Sequence, residues 1–377
     1  MSRSLQFATL ILAASVAAVA QTPETRIYQS GSEWIQEVRG SLPPAKIMKV
    51  ISFGGSIRVQ GAQQNNITFV ARERIRANSE GSARHHLSKI RFTASPGEIA
   101  TLRAECDESN HTTIDFEVQV PAQIAGVTLR TEGGAVSARG LSGKLEVVTG
   151  GGDVNLDQIG GAVHASSDGG NVEIGKVGSN LKVWTGGGNI HVEAAGGYII
   201  ASSEGGNLRI GSGKAMQLKT EGGLIRVQKC EGQLDANTGG GNLELIEVAG
   251  PARVKTSGGG IKVGSINGGL YAETDSGAII ATLSRGDPKF SESRLQTDVG
   301  DIVIYIPDGL GVNIRAAVEV ARGRGIDVRD FPQLKVISST DMGPKTLTAE
   351  GSLYGGGPVL RVSTETGSIA IKRKGKE

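Results

Sequence analysis

A threonine or serine followed within three residues by a glycine pair recurs at Thr131, Thr149, Ser167, Thr185, Ser203, Thr220, Thr238 and Thr256. It recurs again at Thr274, with Ser276-Gly277 in place of the pair. Seven of the eight steps are 18 residues, and the step from Ser203 to Thr220 is 17. No other feature constrains the fold as much, because a unit this short must stack on its own copies.

With the Thr/Ser as position 1, position 6 is apolar in every copy, from Val136 through Ile190 to Ile279. Position 8 is apolar too, from Ala138 through Val192 to Ala281. Position 7 between them reads Ser137, Asn155, Glu173, His191, Arg209, Arg226, Glu244, Lys262 and Ile280. This in-out-in alternation predicts a strand with one face in a core. A second strand follows, with inward positions 15 (Leu145, Val163, Leu181) and 17 (Val147, Ala165, Val183) and a mostly polar position 16. Position 11, at the bend, supplies Leu141, Ile159, Val177, Ala195, Cys230, Val248 and Ile266, and position 13 is usually glycine.

Two short strands cannot bury an apolar face alone, so each strand must pair with its counterparts in the copies above and below. The predicted fold is all-β: a single-chain β-solenoid, parallel β-helix-like, of 18-residue coils. At a strand spacing of ~4.8 Å the nine starts give a rod of roughly 40 Å before its flanks. The glycines at positions 3 and 4 are expected to turn the chain by adopting positive φ. The phrase recurs in weakened form at Gly54-Gly55-Ser56-Ile57-Arg58-Val59, at residues 297–304 and at residues 364–371. The expected organisation is a signal peptide at 1–20, an N-terminal β cap region at 21–130, regular repeats at 131–283, and degenerate C-terminal coils with a basic tail at 284–377. Irregular β caps are needed because open ends would expose edge strands.

The leader carries Arg3, an apolar run from Leu5 to Val19, and Ala18-Val19-Ala20 before Gln21. That order marks a secretory signal peptide cut after Ala20, too short to span a bilayer. The chain is expected to be exported to the periplasm, cell surface or exterior, with no transmembrane segment after cleavage. Without Arg3 the 40 basic residues become 39, against 38 acidic. That balance argues against a nucleic-acid partner, and the tail Lys372-Arg373-Lys374-Gly375-Lys376 reads as a solvated end. Cys106 and Cys230 are too far apart in sequence for their pairing to be inferred, and the repeat places Cys230 in the core.

No catalytic, cofactor or metal site is predicted. His85-His86 lies in a charged stretch between predicted strands, His111 precedes a strand, and His164 and His191 take outward positions on different strands; none has ligand spacing. Position 5 reads Asp153, Asn171, Asn189, Asn207, Leu224, Asn242. That is too few carboxylates for calcium, and the asparagines suit turns at strand entry or a side-chain amide ladder. A sugar-cleaving β-helix needs paired outward carboxylates. Here Glu146, Glu173, Asp235 and Glu244 are scattered among bases, and Trp184 and Tyr271 stand alone. The single Thr/Ser column lacks the doubled hydroxyl array of an ice-binding face and adjoins a turn where hydroxyls bond to backbone.

The leader, the Gly54–Val59 phrase, Phe116-Glu117-Val118-Gln119-Val120-Pro121, the repeated coils and Gly300-Asp301-Ile302-Val303-Ile304-Tyr305-Ile306-Pro307 together resemble a bacterial putative-adhesin family of β-strand-repeat domains of unknown function. The resemblance covers residues 46–371 and implies a non-enzymatic envelope or extracellular solenoid. The expected function is a structural or adhesin-like module facing a surface polymer, a protein or another copy of itself. The alternative is a polysaccharide-binding or polysaccharide-cleaving parallel β-helix.

Overall fold

The computed structural model describes residues 24–106, 112–286, 289–339 and 345–375. The expected signal peptide, His111 and Lys376 lie outside them. The described chain is all-β apart from one short helix, and its strands form two long sheets in which parallel pairing predominates.

Each repeat between residues 131 and 283 gives one strand to each sheet. In the first sheet Val154–Ile159 lies between Val136–Leu141 and Val172–Val177, with Val154 opposite Val136 and Val172. In the second sheet Val163–Ser167 lies between Lys144–Thr149 and Leu181–Thr185. Spatial neighbours are therefore one repeat apart in sequence. The inward columns of both strands, and the bend residues of position 11, are buried in one continuous apolar core. The 17-residue step leaves this register intact. Ala194 still faces Ser212, whereas Tyr198 faces Ala215, so the missing residue is taken out at the bend between the two strands.

The position-1 hydroxyls face inward, 0–5% exposed from Thr131 to Thr364. Thr185 is representative. Its Oγ1 donates to the Gly170 carbonyl of the preceding rung at 2.7 Å and accepts the Gly188 N–H of its own rung at 3.3 Å. Donation to the preceding glycine carbonyl repeats from Thr131, onto Gly55, to Thr364, onto Gly300. The glycine pair is explained differently from the sequence expectation. Neither glycine adopts positive φ in the repeats from Gly133 to Gly259. Position 4 is glycine for steric reasons: a Cβ on Gly188 would fall well inside contact distance of the Gly170 carbonyl oxygen, and one on Gly206 would meet that of Gly188. Position 3 has no such restriction, since nothing lies within 4 Å of a Cβ on Gly187.

Both ends depart from sequential order. Ile47–Ser52 and Ile57–Ala62 form a rung that pairs in parallel with Gly126–Thr131 and Val136–Leu141 on one side and with Ile99–Cys106 and Thr112–Pro121 on the other. The first such rung in sequence is thus the second in space. At the other end Val359–Thr366 enters between Ser293–Val299 and Val312–Val318, and Ile369–Arg373 between Ile302–Ile306 and Ile326–Asp327. The last rung in sequence is the second to last in space. Insertion gives each of these rungs partners on both edges.

Antiparallel strands finish the stack. Ile67–Arg76, Glu33–Leu42 and Glu24–Ser30 continue the first sheet at the N-terminal end, and Thr346–Leu353 with Lys335–Ser339 continue the second at the other. With 17 strands, the first sheet runs about 80 Å at ~4.8 Å per strand. The charged stretch between strands that holds His85 and His86 is the helix Glu80–Leu87, capped by Ser79 and packed through Ala83 and Leu87 on Ile75 and Ile90.

Two acids mark the N-terminal cap. Burial raises the Glu37 carboxyl, but hydrogen bonds from Arg39 and Arg72 outweigh it and hold the group at about 2; Arg26 completes the cluster across three strands. Glu73 faces the core, accepts a 2.9 Å bond from Gln36, and is pushed up to about 7 by burial.

Three expectations follow for stability. Thr185→Val should cost about 1–3 kcal/mol by leaving a buried carbonyl and N–H unpaired, while Thr185→Ser stays close to wild type. Gly188→Ala should cost about 3 kcal/mol or more, against little change for Gly187→Ala; denaturant unfolding of the four variants checks both contrasts. Because Glu73 holds a proton in the folded chain that the unfolded chain has released, stability should fall as pH rises from about 4.5 to 7. The whole effect is about 3 kcal/mol, and unfolding of Glu73→Gln should show that slope removed.

Candidate binding face

The residues singled out in the sequence are dispersed. Cys230 is buried with its thiol pushed up by desolvation, Cys106 is half-buried, and neither forms a disulfide. His164 and His191 project from different sheets, and the His191 Nδ1 lies 2.6 Å from the Glu173 carboxylate one rung away. The position-5 side chains do form a ladder. Asn171 Oδ1 accepts the Asn189 N–H at 2.9 Å and its side-chain amide at 3.2 Å, and Asn189 repeats this toward Asn207. Asp115 and Asp301 extend the backbone part of the motif to the end rungs. The Thr/Ser hydroxyls are enclosed, so they offer no lattice-binding surface. Among the described residues no group of three or more His, Cys, Asp and Glu is placed to hold a metal.

What remains open is the outward surface. On the first sheet some opposite partners meet across rungs, Glu173 with His191 and Arg226 with Glu244 at 3.3 Å, while Arg209 stands opposite Arg226. The second sheet pairs Arg130 with Glu146 and Lys255 with Glu273. Two shallow hollows lie on this second face. One, about 690 Å³, is lined by Lys144, Glu146, His164, Lys182 and Tyr198. The other, about 720 Å³, is lined by Asp235, Arg253, Lys255, Tyr271, Glu273 and Arg294.

The second hollow opens a row in which charge does not alternate. Pairing places Arg253 beside Tyr271, Tyr271 beside Arg294, Arg294 beside Arg361, and Arg361 beside Arg315, with Asp235 and Glu350 closing the row at its ends. All four arginines are exposed. The Arg253 guanidinium lies 5.7 Å from the Tyr271 ring centroid, Arg294 donates to the Gln296 amide oxygen at 2.7 Å, and Arg361 pairs with Glu292. Four residues further along the same strands, the register aligns the exposed acids Asp275, Asp298 and Glu365 as a second, opposite row. Sequence reasoning missed the arginine row because the strand carrying Arg361 enters out of order. Only Arg253 and Tyr271 occupy position 16 of regular repeats.

No family profile and no curated protein matches the chain. Among solved structures it is similar to a putative cell adhesion protein from Clostridium sporogenes, at 10% identity over 94% of this chain and 100% of that one, with a TM-score of 0.20. It is also similar to a putative adhesin from Bacteroides fragilis, at 11% identity over 90% and 97% with a TM-score of 0.25. A putative lipid binding protein from Parabacteroides distasonis aligns at 10% identity over 72% and 93% with a TM-score of 0.31. The neighbours thus include bacterial proteins of the putative-adhesin kind that the sequence resembles.

Cys230 gives a direct check on the inward assignment. Thiol reagents should leave it unmodified in the native chain and reach it only on unfolding, as mass mapping of alkylated peptides would record; native labelling would contradict its core position.

Proposed function

We propose that the chain is an exported, non-enzymatic β-solenoid whose second sheet presents an adhesive face to a polymer or protein of the cell envelope or exterior. One observation supports this reading above others. The second sheet offers a long exposed surface with shallow hollows and a cationic row compensated only in part, and stacked repeats suit such extended recognition surfaces. The leader at residues 1–20 supports export, and among the described residues no helix is long and apolar enough to cross a membrane. Glu146 and His164 share a hollow as cross-strand neighbours, but it is shallow and open to solvent, which favours binding over turnover.

Incubating the full chain with labelled polysaccharides, and with fractionated envelopes, tests the proposal. Retention without cleavage is expected. Hydrolysis lost on single outward Asp or Glu substitution would establish the polysaccharide-cleaving alternative instead, and recovery of the protein in the cytoplasmic fraction would refute export.

A further inference from the structure

Building on that adhesive reading, we infer that the arginine row of the second sheet is a docking track for a linear acidic polysaccharide, with one carboxylated sugar per strand. Arg294, Arg361 and Arg315 stand directly opposite one another on adjacent strands. Like charges so placed destabilise a sheet, whereas Arg130 meets Glu146 and Lys255 meets Glu273 elsewhere on this sheet. The row is therefore not explained by stability. Its compensation is also incomplete. Glu292 answers Arg361, but among the described residues Arg294 and Arg315 have no carboxylate within ion-pair distance.

The spacing and the surroundings select the ligand. The arginine-bearing backbone positions repeat at ~4.8 Å, the strand spacing, which is close to the rise of one pyranose in an extended chain. A planar guanidinium takes a carboxylate through two parallel hydrogen bonds. Tyr271, 40% exposed and set within the row, offers a ring for the apolar face of a sugar. The acids Asp275, Asp298 and Glu365 lie about 13 Å away along the strands and repel a polyanion, which confines it to the arginine row. A nucleic acid fits less well, since the track ends at Asp235 and Glu350 and the whole chain carries a net charge of only +2. Each exposed contact is weak alone, but contacts in register on one polymer reinforce one another.

The test is calorimetric titration of the full chain with oligogalacturonates of graded length. Affinity should climb with length through about five sugars, one for each strand from Arg253 to Arg315, and then level off. The triple variant Arg294→Gln, Arg361→Gln, Arg315→Gln should bind at least tenfold more weakly. Its log affinity should also fall less steeply with log salt, by a slope of about 2. These side chains are exposed, so its melting temperature should not drop. The control Arg226→Gln, Lys262→Gln on the first sheet should bind like wild type. Equal losses in control and triple variant would overturn the inference, as would single-stranded DNA binding as tightly as the oligogalacturonates. A dimer abolished by the triple variant, with no oligogalacturonate bound, would assign the row to a second copy and overturn it too. If acidic oligomers fail to bind while envelope retention persists, the track is wrong and the adhesive function stands. If they are bound through the row and cut, the track stands and the non-enzymatic reading falls.

Discussion

Where the chain passes from one sheet to the other, its peptide groups leave the strand ladders while still inside the protein, and the hydroxyl at position 1 is what pairs them. Thr185 takes the N–H of Gly188 in its own rung and gives its proton to the carbonyl of Gly170 in the rung before. A buried N–H and a buried carbonyl are thereby satisfied by one atom. Serine and threonine are the short side chains that can both donate and accept at that reach. Glycine is required opposite them because the carbonyl of the preceding rung occupies the space a Cβ would need. The spacing of hydroxyl and second glycine is thus one unit of structure, and its recurrence fixes the register of both sheets together.

Such a stack has a problem at its ends, since a parallel strand without a partner is an open template. The chain meets it in the same way twice. At each end one rung is slipped between two others, and antiparallel strands are then laid outside. The Glu37 cluster ties three of these outer strands through Arg26, Arg39 and Arg72, while the short helix covers the apolar residues Ile75 and Ile90. Gly55 and Gly300 carry the glycine column into the end rungs, so the inserted strands join the same hydroxyl chain as the regular ones.

What could be read in advance follows from this division. Inward and outward positions of the repeats were legible because alternation is local and the period repeats it; Cys230 and the position-5 ladder fell out of the same counting. The reason for the glycines was not legible, because the clash that excludes a Cβ on Gly188 comes from Gly170, and the closeness of those two backbones is a property of stacking. The helix over His85 and His86 escaped because eight residues with two apolar contacts, Ala83 and Leu87, give too short a pattern to distinguish from a charged loop. Glu73 reads as one more acid in an alternating strand until its inward face is known. The arginine row was hidden most deeply, since Arg361 stands beside Arg294 through an insertion that no period announces.

The two outward faces also differ in a way that bears on function. Regular repeats place successive side chains in register across the whole sheet, so any charge repeated in sequence would meet its own copy at strand spacing. At several rungs opposite partners meet instead: Glu173 meets His191, Arg226 meets Glu244, and Lys255 meets Glu273. Such exposed pairs contribute little individually; their main effect is to prevent repulsion between rungs. At the C-terminal end of the second sheet three arginines face one another on adjacent strands, in the region where the chain also abandons sequential order. Arg294 and Arg315 stand there without a carboxylate partner among the described residues, and Arg294 is beside the exposed ring of Tyr271. That is the arrangement expected where the compensating charge comes from outside the molecule.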